Sequence, residues 1–347
     1  MTPRFPVVDA LKAVAAQLIV WHHLVAYGPV SQGLDQAWPA VSGWLYQDGR
    51  IAVQVFLVVG GFLAAQGLAG VARNPWAAIG RRYVRLARPF MLAVVLTVAV
   101  SGLVRPWFDD PMLSEPVEGL NLLAHALLLH GILGHESLGA GVWYVAIDFQ
   151  LFALWVLLAW AGRRWPAARA WAVTGGVAVS LFVINLDSSW DVWAPYFFGA
   201  YGLGVLAALL RERRWLATAL IVVLGGVACW MEWRSRIAVA TAVALLLLWA
   251  GAWPRLLGRR LDGLSRRLAD GSYTLFLTHF AVLVLGNALY AAAGLDGALA
   301  ASLAAIGLWA ASQGLARAFD ALSTRTIRLP GSGLALCSFK RMTKGKT

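Results

Sequence analysis

Val8–Tyr27 reads VDALKAVAAQLIVWHHLVAY. Its length is that of a helix crossing a bilayer, which takes roughly 20 mostly apolar residues, yet it carries Asp9, Lys12, His22 and His23. An ionisable side chain is costly in hydrocarbon, and there it faces a protein interior or a wet cavity. At about 100° per residue, Lys12 and His23 fall within roughly 20° of each other, while His22 points about 100° away. Asp9, a short step before Lys12, shares their side. A carboxylate, an amine and an imidazole thus occupy one stripe, which a plain anchor does not need. The bland account is an Asp9–Lys12 ion pair plus a histidine pair near the interface. The functional account makes His23 a general base on a hydroxyl, or a transient acyl acceptor, roles that suit a group titrating near neutrality.

The rest of the chain has the composition of a polytopic membrane protein. Of 347 residues, 60% are hydrophobic and only 13% charged, and the mean hydropathy is +0.69; a soluble domain is excluded. The net charge of +12 would suggest nucleic acid in a soluble protein. Here it is read by location, because Lys and Arg gather in cytoplasmic loops, and no nucleic-acid partner is expected. Apolar stretches at about 8–27, 50–70, 86–105, 142–162, 170–186, 192–210, 215–233, 235–253, 270–293 and 297–318 predict an all-α bundle of about ten transmembrane helices. Those at 170–186 and 192–210 are short enough to be partly broken, and apolar Gly119–Gly134 reads as an interfacial or re-entrant segment. With both termini cytoplasmic, all but four of the 29 basic residues fall inside; Arg50, Arg105, Arg234 and Arg236 are the exceptions. Acids such as Asp35, Asp109, Glu136, Asp191 and Glu232 fall outside. Residues 1–320 form one transmembrane domain, and 321–347 a loose basic cytoplasmic tail near anionic lipid. The first stretch is read as a retained helix and not a signal peptide. Cys229 and Cys337 form neither a structural disulfide nor a metal motif. Trp38, Trp44, Trp107, Trp190, Trp193 and Trp253 sit at helix ends as interfacial anchors.

Further segments carry candidate chemistry. The inner stretch from Arg73 to Pro89 has five arginines and no acid. Either Arg82, Arg85 and Arg88 or Arg81, Arg85 and Arg88 would line one side of a helix and fork onto the phosphates of a cytosolic donor, beyond simple positive-inside charge. Pro89 is placed at the first turn of the following span, where it costs no hydrogen bond. Asp148, in GVWYVAIDFQLF, is a lone intramembrane carboxylate, a functional candidate by default, and is assigned to orient His23; the structural alternative is an aspartate paired with an arginine. His279, in DGSYTLFLTHF, is either a channel group or a helix–helix hydrogen bond. His125, His130 and His135 recur every fifth residue, which does not stack on a helix, so no metal site is assigned. Gly49, Gly60, Gly61, Gly67 and Gly70 point to close helix packing.

Together these segments resemble the integral-membrane acyltransferase 3 family, the O-acyltransferases of bacterial envelope glycans. Asp9, Lys12 and His23 match the family's Asp, Arg and His in register, with Lys in place of Arg. Gly49, Val53, Phe56, Gly61 and Phe62 are similar to its Gly-x-x-x-Val-x-x-Phe-Phe-x-x-Ser-Gly-Phe run, with Leu57 for the second Phe and Gly60 for the Ser. Arg85, Arg88 and Pro89 resemble its RxxR-Pro element, and Trp143 with Asp148 its Trp and Glu. Ser272, Tyr273, Phe276, Leu277 and His279 resemble its Ser-Tyr-x-x-Tyr-Leu-x-His.

The resemblance implies transfer of an acyl group, most often acetyl, from cytosolic acyl-CoA to a hydroxyl of an envelope polysaccharide or glycoside, in the bacterial inner membrane. Acyl-CoA is a co-substrate, and no bound cofactor is expected. Membrane lipids, the glycan acceptor and polysaccharide biosynthesis or export proteins are the implied partners. His23, Asp148 and Lys12 become the catalytic set, with Lys12 at the pantetheine end or the oxyanion. Arg81, Arg82, Arg85 and Arg88 bind the donor, and Asp9, His22, Trp143, Tyr144, Tyr273 and His279 line the acceptor site or a polar channel joining the arginines to His23. The chain ends soon after the tenth stretch, without the hydrolase-like domain of some members, so transfer is expected within the membrane or by hand-over to a partner. A lipid-linked sugar flippase and a catalytically weakened relative are the alternatives.

Overall fold

The computed structural model describes residues 5–67, 74–252 and 258–326; Gly70, Arg73, Trp253, Arg255 and the tail beyond 326 lie outside them. Among the described residues the protein is all-helical. The helices are α1 Pro6–Ala26, α2 Gly28–Ala37, α3 Pro39–Asp48, α4 Ala52–Gln66, α5 Pro75–Val104, α6 Gly119–Ala126, α7 Trp143–Ala161, α8 Pro166–Phe182, α9 Ala194–Leu209, α10 Arg214–Met231, α11 Ser235–Trp249, α12 Arg259–Asp270, α13 Ser272–Ala292 and α14 Gly297–Thr326. Eight helical runs are long and apolar enough to cross a membrane, α3 and α4 counting as one run, and α9 and α11 are shorter apolar helices. Each apolar stretch of the sequence thus has its helix, and the protein is a multi-pass integral membrane protein.

Helix boundaries follow local chemistry. Ala26 ends α1 because Tyr27 turns extended and Gly28 takes a φ of +72°. Asn287 of α13 then accepts the Val30 N–H at 2.9 Å and caps the start of α2. The largest departure is α5. It begins at Pro75, eleven residues before the apolar stretch, because the Asn74 side chain caps Ala77 N at 2.9 Å and Pro75 occupies the first turn. Arg81, Arg82, Arg85 and Arg88 therefore stand on this helix. Pro89 is interior to α5 and not in a first turn, so it removes one ladder hydrogen bond there. At the other end of the chain, α14 continues to Thr326, past the boundary expected at 320.

Two hydrophobic cores share α1 and α13. Val7, Val8, Ala15 and Ile19 of α1 join Phe276 and Leu277 of α13 in a core built on α4, α7, α9 and α11. Ala16, Val20 and Leu24 of α1 join Leu275, Phe280, Leu283 and Val284 of α13 in a second core with α2 and α14. α9 is buried on nearly every face, as its unbroken run Tyr196–Ala207 shows. It lies hard against α4: a Cβ at Gly61 would run into the Tyr201 carbonyl, and one at Gly204 into that of Val58. Gly119–Gly134 does not cross. Tyr83 of α5 donates to Ala126 O at 2.7 Å, about 30 Å along α5 from Val104. Asn121 meanwhile donates to Glu136 O at 3.3 Å across the segment's base. The segment runs back along α5 and returns, a re-entrant hairpin.

The Gly61–Gly204 contact has a direct test. Gly61→Val or Gly204→Val is expected to lower the thermal midpoint in detergent by the equivalent of about 2 kcal/mol or more. Gly80→Ala meets nothing within 4 Å and improves helix propensity, so it should leave the midpoint unchanged or raise it by up to about 1 kcal/mol.

Candidate active site

The polar residues of α1 and α13 meet on the seam between the two cores. His23 and His279 are both buried, and His23 Nδ1 lies 2.7 Å from His279 Nε2. The His279 Nδ1 in turn lies 3.0 Å from Leu275 O, one turn earlier in α13. His23 borders a chamber of about 850 Å³. Other walls come from His22, Tyr27, Gly141, Trp143, Tyr144 and Phe276. His22 is held apart from His23 by its own hydrogen bond, Nδ1 to Leu45 O at 3.0 Å. Gly141 adopts a φ of +80°, and a Cβ there would stand 3.0 Å from Phe276 and 3.6 Å from His23 Cε1. Only glycine takes this conformation without strain, and a side chain there would press on the Phe276 ring.

The chamber's mouth is built from the outer loops. Trp143 stacks on Phe197 with centroids 5.5 Å apart. Arg236 donates to the Tyr196 hydroxyl at 2.7 Å and to Asn185 O at 3.1 Å. Arg234, buried in the loop between α10 and α11, donates to Asn185 Oδ1 at 2.8 Å and to Leu181 O at 3.0 Å. Burial pushes its guanidinium pKa down, and Glu232 opposes that shift. Glu136, Asp191 and Arg50 complete the charged rim.

A second polar cluster lies among α4, α5, α7 and α9. Arg82 Nη2 contacts Asp148 Oδ2 at 2.5 Å. Gly60 abuts the pair, since a Cβ there would be 3.4 Å from Asp148 Oδ1 and from the Tyr201 ring. Arg82 also covers the Phe152 ring at 5.2 Å, and Tyr273 donates to Leu86 O at 3.1 Å. Phe56, Tyr144 and Phe276 stand as an aromatic layer, with centroids 5.5–6.4 Å apart; two of the three line the chamber's floor.

This arrangement corrects several expectations. Asp148 does not orient His23: it is committed to Arg82, and the imidazole is hydrogen-bonded to His279 instead. The arginine strip also divides. Arg81, Arg85 and Arg88 are exposed on one side of α5, whereas Arg82 turns inward and is spent on the aspartate. Among the described residues, the chamber beside His23 does not reach the arginines of α5. His22, His23, Trp143 and Tyr144 border the chamber, while Lys12, Asp9, Asp148, Tyr273 and His279 do not. Asp9 is buried and Lys12 half-buried on α1, each with an interaction of its own. Gly141, Tyr27, Asn185 and Arg236 were missed by sequence reasoning. Gly139 and Gly141, closely spaced before Trp143, were a legible signal; the loop residues were not.

The fold defines a multi-pass helical membrane protein whose buried His23 borders a sizeable chamber. A family model described as an acyltransferase domain matches residues 5–315, nearly the whole chain. The chain belongs to the acyltransferase 3 family and is a membrane acyltransferase. No curated protein and no solved structure matches it.

The Arg82–Asp148 pair yields a stability prediction. Arg82→Met or Asp148→Leu alone strands a buried partner and should cost about 2–4 kcal/mol, and the double variant should recover part of that loss. Thermal unfolding of the four proteins in detergent reads the coupling; a double-variant loss equal to the sum of the singles would mean the two residues do not act together.

Proposed function

We propose that the protein is an O-acyltransferase that moves an acyl group, acetyl first among the candidates, from cytosolic acyl-CoA to a hydroxyl of a cell-envelope saccharide. The observation that carries this reading is the His23 imidazole, anchored through one nitrogen and bordering the chamber. In the reaction His23 takes the proton from the acceptor hydroxyl as the oxygen attacks the thioester carbonyl. The new C–O bond forms, the C–S bond breaks, and the imidazolium returns its proton to the departing CoA thiolate. Atoms and charge balance with no other reactant.

The chamber supports a saccharide as acceptor. Trp143 and Phe197 offer a stacked aromatic face for the apolar side of a sugar ring, and carboxylates and an amide lie around it for hydroxyl groups. Arg50, Arg234 and Arg236 are matched in number by Glu136, Asp191 and Glu232, which favours a neutral sugar over a strongly anionic one. The rim residues belong to the loops that the charge distribution puts outside, so the acceptor enters from that side. On the opposite side, Arg81, Arg85 and Arg88 form an exposed cationic strip suited to the diphosphate and ribose phosphate of CoA. For the donor to reach His23, the aromatic layer of Phe56, Tyr144 and Phe276 must part.

The test is transfer from radiolabelled acetyl-CoA by the purified protein in liposomes to neutral oligosaccharides. His23→Ala should abolish product while leaving the thermal midpoint within a few degrees of wild type. His22→Ala, which trims one wall of the chamber and removes the bond to Leu45 O but leaves the His23–His279 contact in place, should lower the rate far less than His23→Ala. In the same assay Arg85→Ala and Arg88→Ala should raise the donor KM several-fold with little change in kcat. Wild-type product formation by His23→Ala would overturn the reading. Sugar translocation without labelled product would support the flippase instead.

A further inference from the structure

We infer that His279 is a positioning residue that fixes which nitrogen of His23 carries the proton, leaving His23 Nε2 as the basic atom; this rests on the reading of His23 as the base. The chain of logic starts at the backbone. Leu275 O can only accept, so the His279 nitrogen 3.0 Å from it, Nδ1, bears a hydrogen. A neutral imidazole has a single N–H, so His279 Nε2 presents a lone pair. That lone pair lies 2.7 Å from His23 Nδ1, a contact that is attractive only if His23 Nδ1 donates. The one proton of neutral His23 is then used, and its Nε2 is bare.

The ring geometry agrees. The two imidazoles are within 1° of parallel, with centroids 5.0 Å apart. That separation is the N···N contact plus the two ring radii, so the rings meet edge to edge in one plane, with the hydrogen on the lone-pair axis. An imidazolium at His279 donating in both directions is disfavoured. No carboxylate among the described residues hydrogen-bonds to either ring, and an unpaired buried charge is costly. His23 itself borders the chamber, and with Nδ1 held by His279 its remaining nitrogen, Nε2, is the one left for the substrate.

In the catalytic step Nε2 takes the hydroxyl proton, and the positive charge formed on His23 is stabilised through Nδ1–H by the His279 lone pair. An aspartate would serve the same orienting purpose but would bring a full charge into the membrane interior. A neutral imidazole orients without that cost.

Two measurements decide the matter. The first uses ring-15N histidine in the full-length protein in lipid nanodiscs above neutral pH, with the His23 signals identified by their loss in His23→Gln. Nδ1 protonated and Nε2 bare on His23 is the expected result; the reverse tautomer overturns the proposal. The second is kinetic. His279→Leu should lower kcat by ~100-fold or more, with donor and acceptor KM changed less than about threefold. His279→Gln, whose side-chain oxygen accepts where Nε2 did, should return kcat to within about tenfold of wild type. A wild-type kcat in His279→Leu, or a His279→Gln no better than it, overturns the proposal. Should His279→Leu fail to fold, the tautomer measurement still decides. An inactive His23→Ala beside a fully active His279→Leu would reject only this positioning role, whereas an active His23→Ala would reject the base itself.

Discussion

The contact on which the molecule turns is the hydrogen bond between His23 and His279, residues 256 positions apart in the chain. Inside a lipid-immersed bundle no water waits to solvate an orphaned ring nitrogen, so each polar group must be satisfied by another helix. α1 and α13, like α5, contribute to both hydrophobic cores, and the imidazole pair ties α1 to α13 on that seam. The same bond that closes the bundle also decides the state of the nitrogen facing the chamber. Packing and reactivity are therefore not separable at this point: a shift of α13 relative to α1 would change the ring that the substrate meets.

The second polar cluster has a different character. Arg82 and Asp148 saturate each other, and Tyr201 and Gly60 close around them. Set against the resemblance, two of the chain's departures fall in this one place: Gly60 stands where the family pattern has Ser, and Asp148 where it has Glu. A Cβ at Gly60 would touch the Asp148 carboxylate. Both changes remove atoms from the same contact, one a side-chain hydroxyl and the other a methylene. They read together as a local resizing around the Arg82–Asp148 pair, rather than as two independent losses.

The order of the apolar helices was legible in the sequence because hydrocarbon thickness imposes a minimum apolar length, and every such stretch became a helix; the short helices α2, α3 and α12 lay outside those stretches. The start of α5 was not read correctly from hydropathy, since its first turns are cationic; the Asn74–Pro75 cap was the better signal. That His23 and His279 are polar groups inside apolar helices was legible from the sequence. Their pairing with each other, and that of Asp148 with Arg82, was not. Angular position on one helix ranks which face a residue occupies, but the partner across the gap is chosen by how distant helices dock. The alternative account of Asp148, an aspartate met by an arginine, came from cost alone: an intramembrane carboxylate needs a cation, and the arginines of α5 were the nearest supply.

Gly141 has an implication for how this protein can diversify. The wall beside the reactive imidazole is bare main chain in a left-handed conformation, so almost any replacement there pays twice, in backbone strain and in collision with Phe276. The inner end of the chamber is thus nearly closed to evolutionary tinkering. The rim, where Asp191 and Glu232 stand on loops and Arg236 at the start of α11, carries no such restriction. Homologues that share this architecture can therefore be expected to differ in what they acylate through their loops, while the chemistry beneath stays the same.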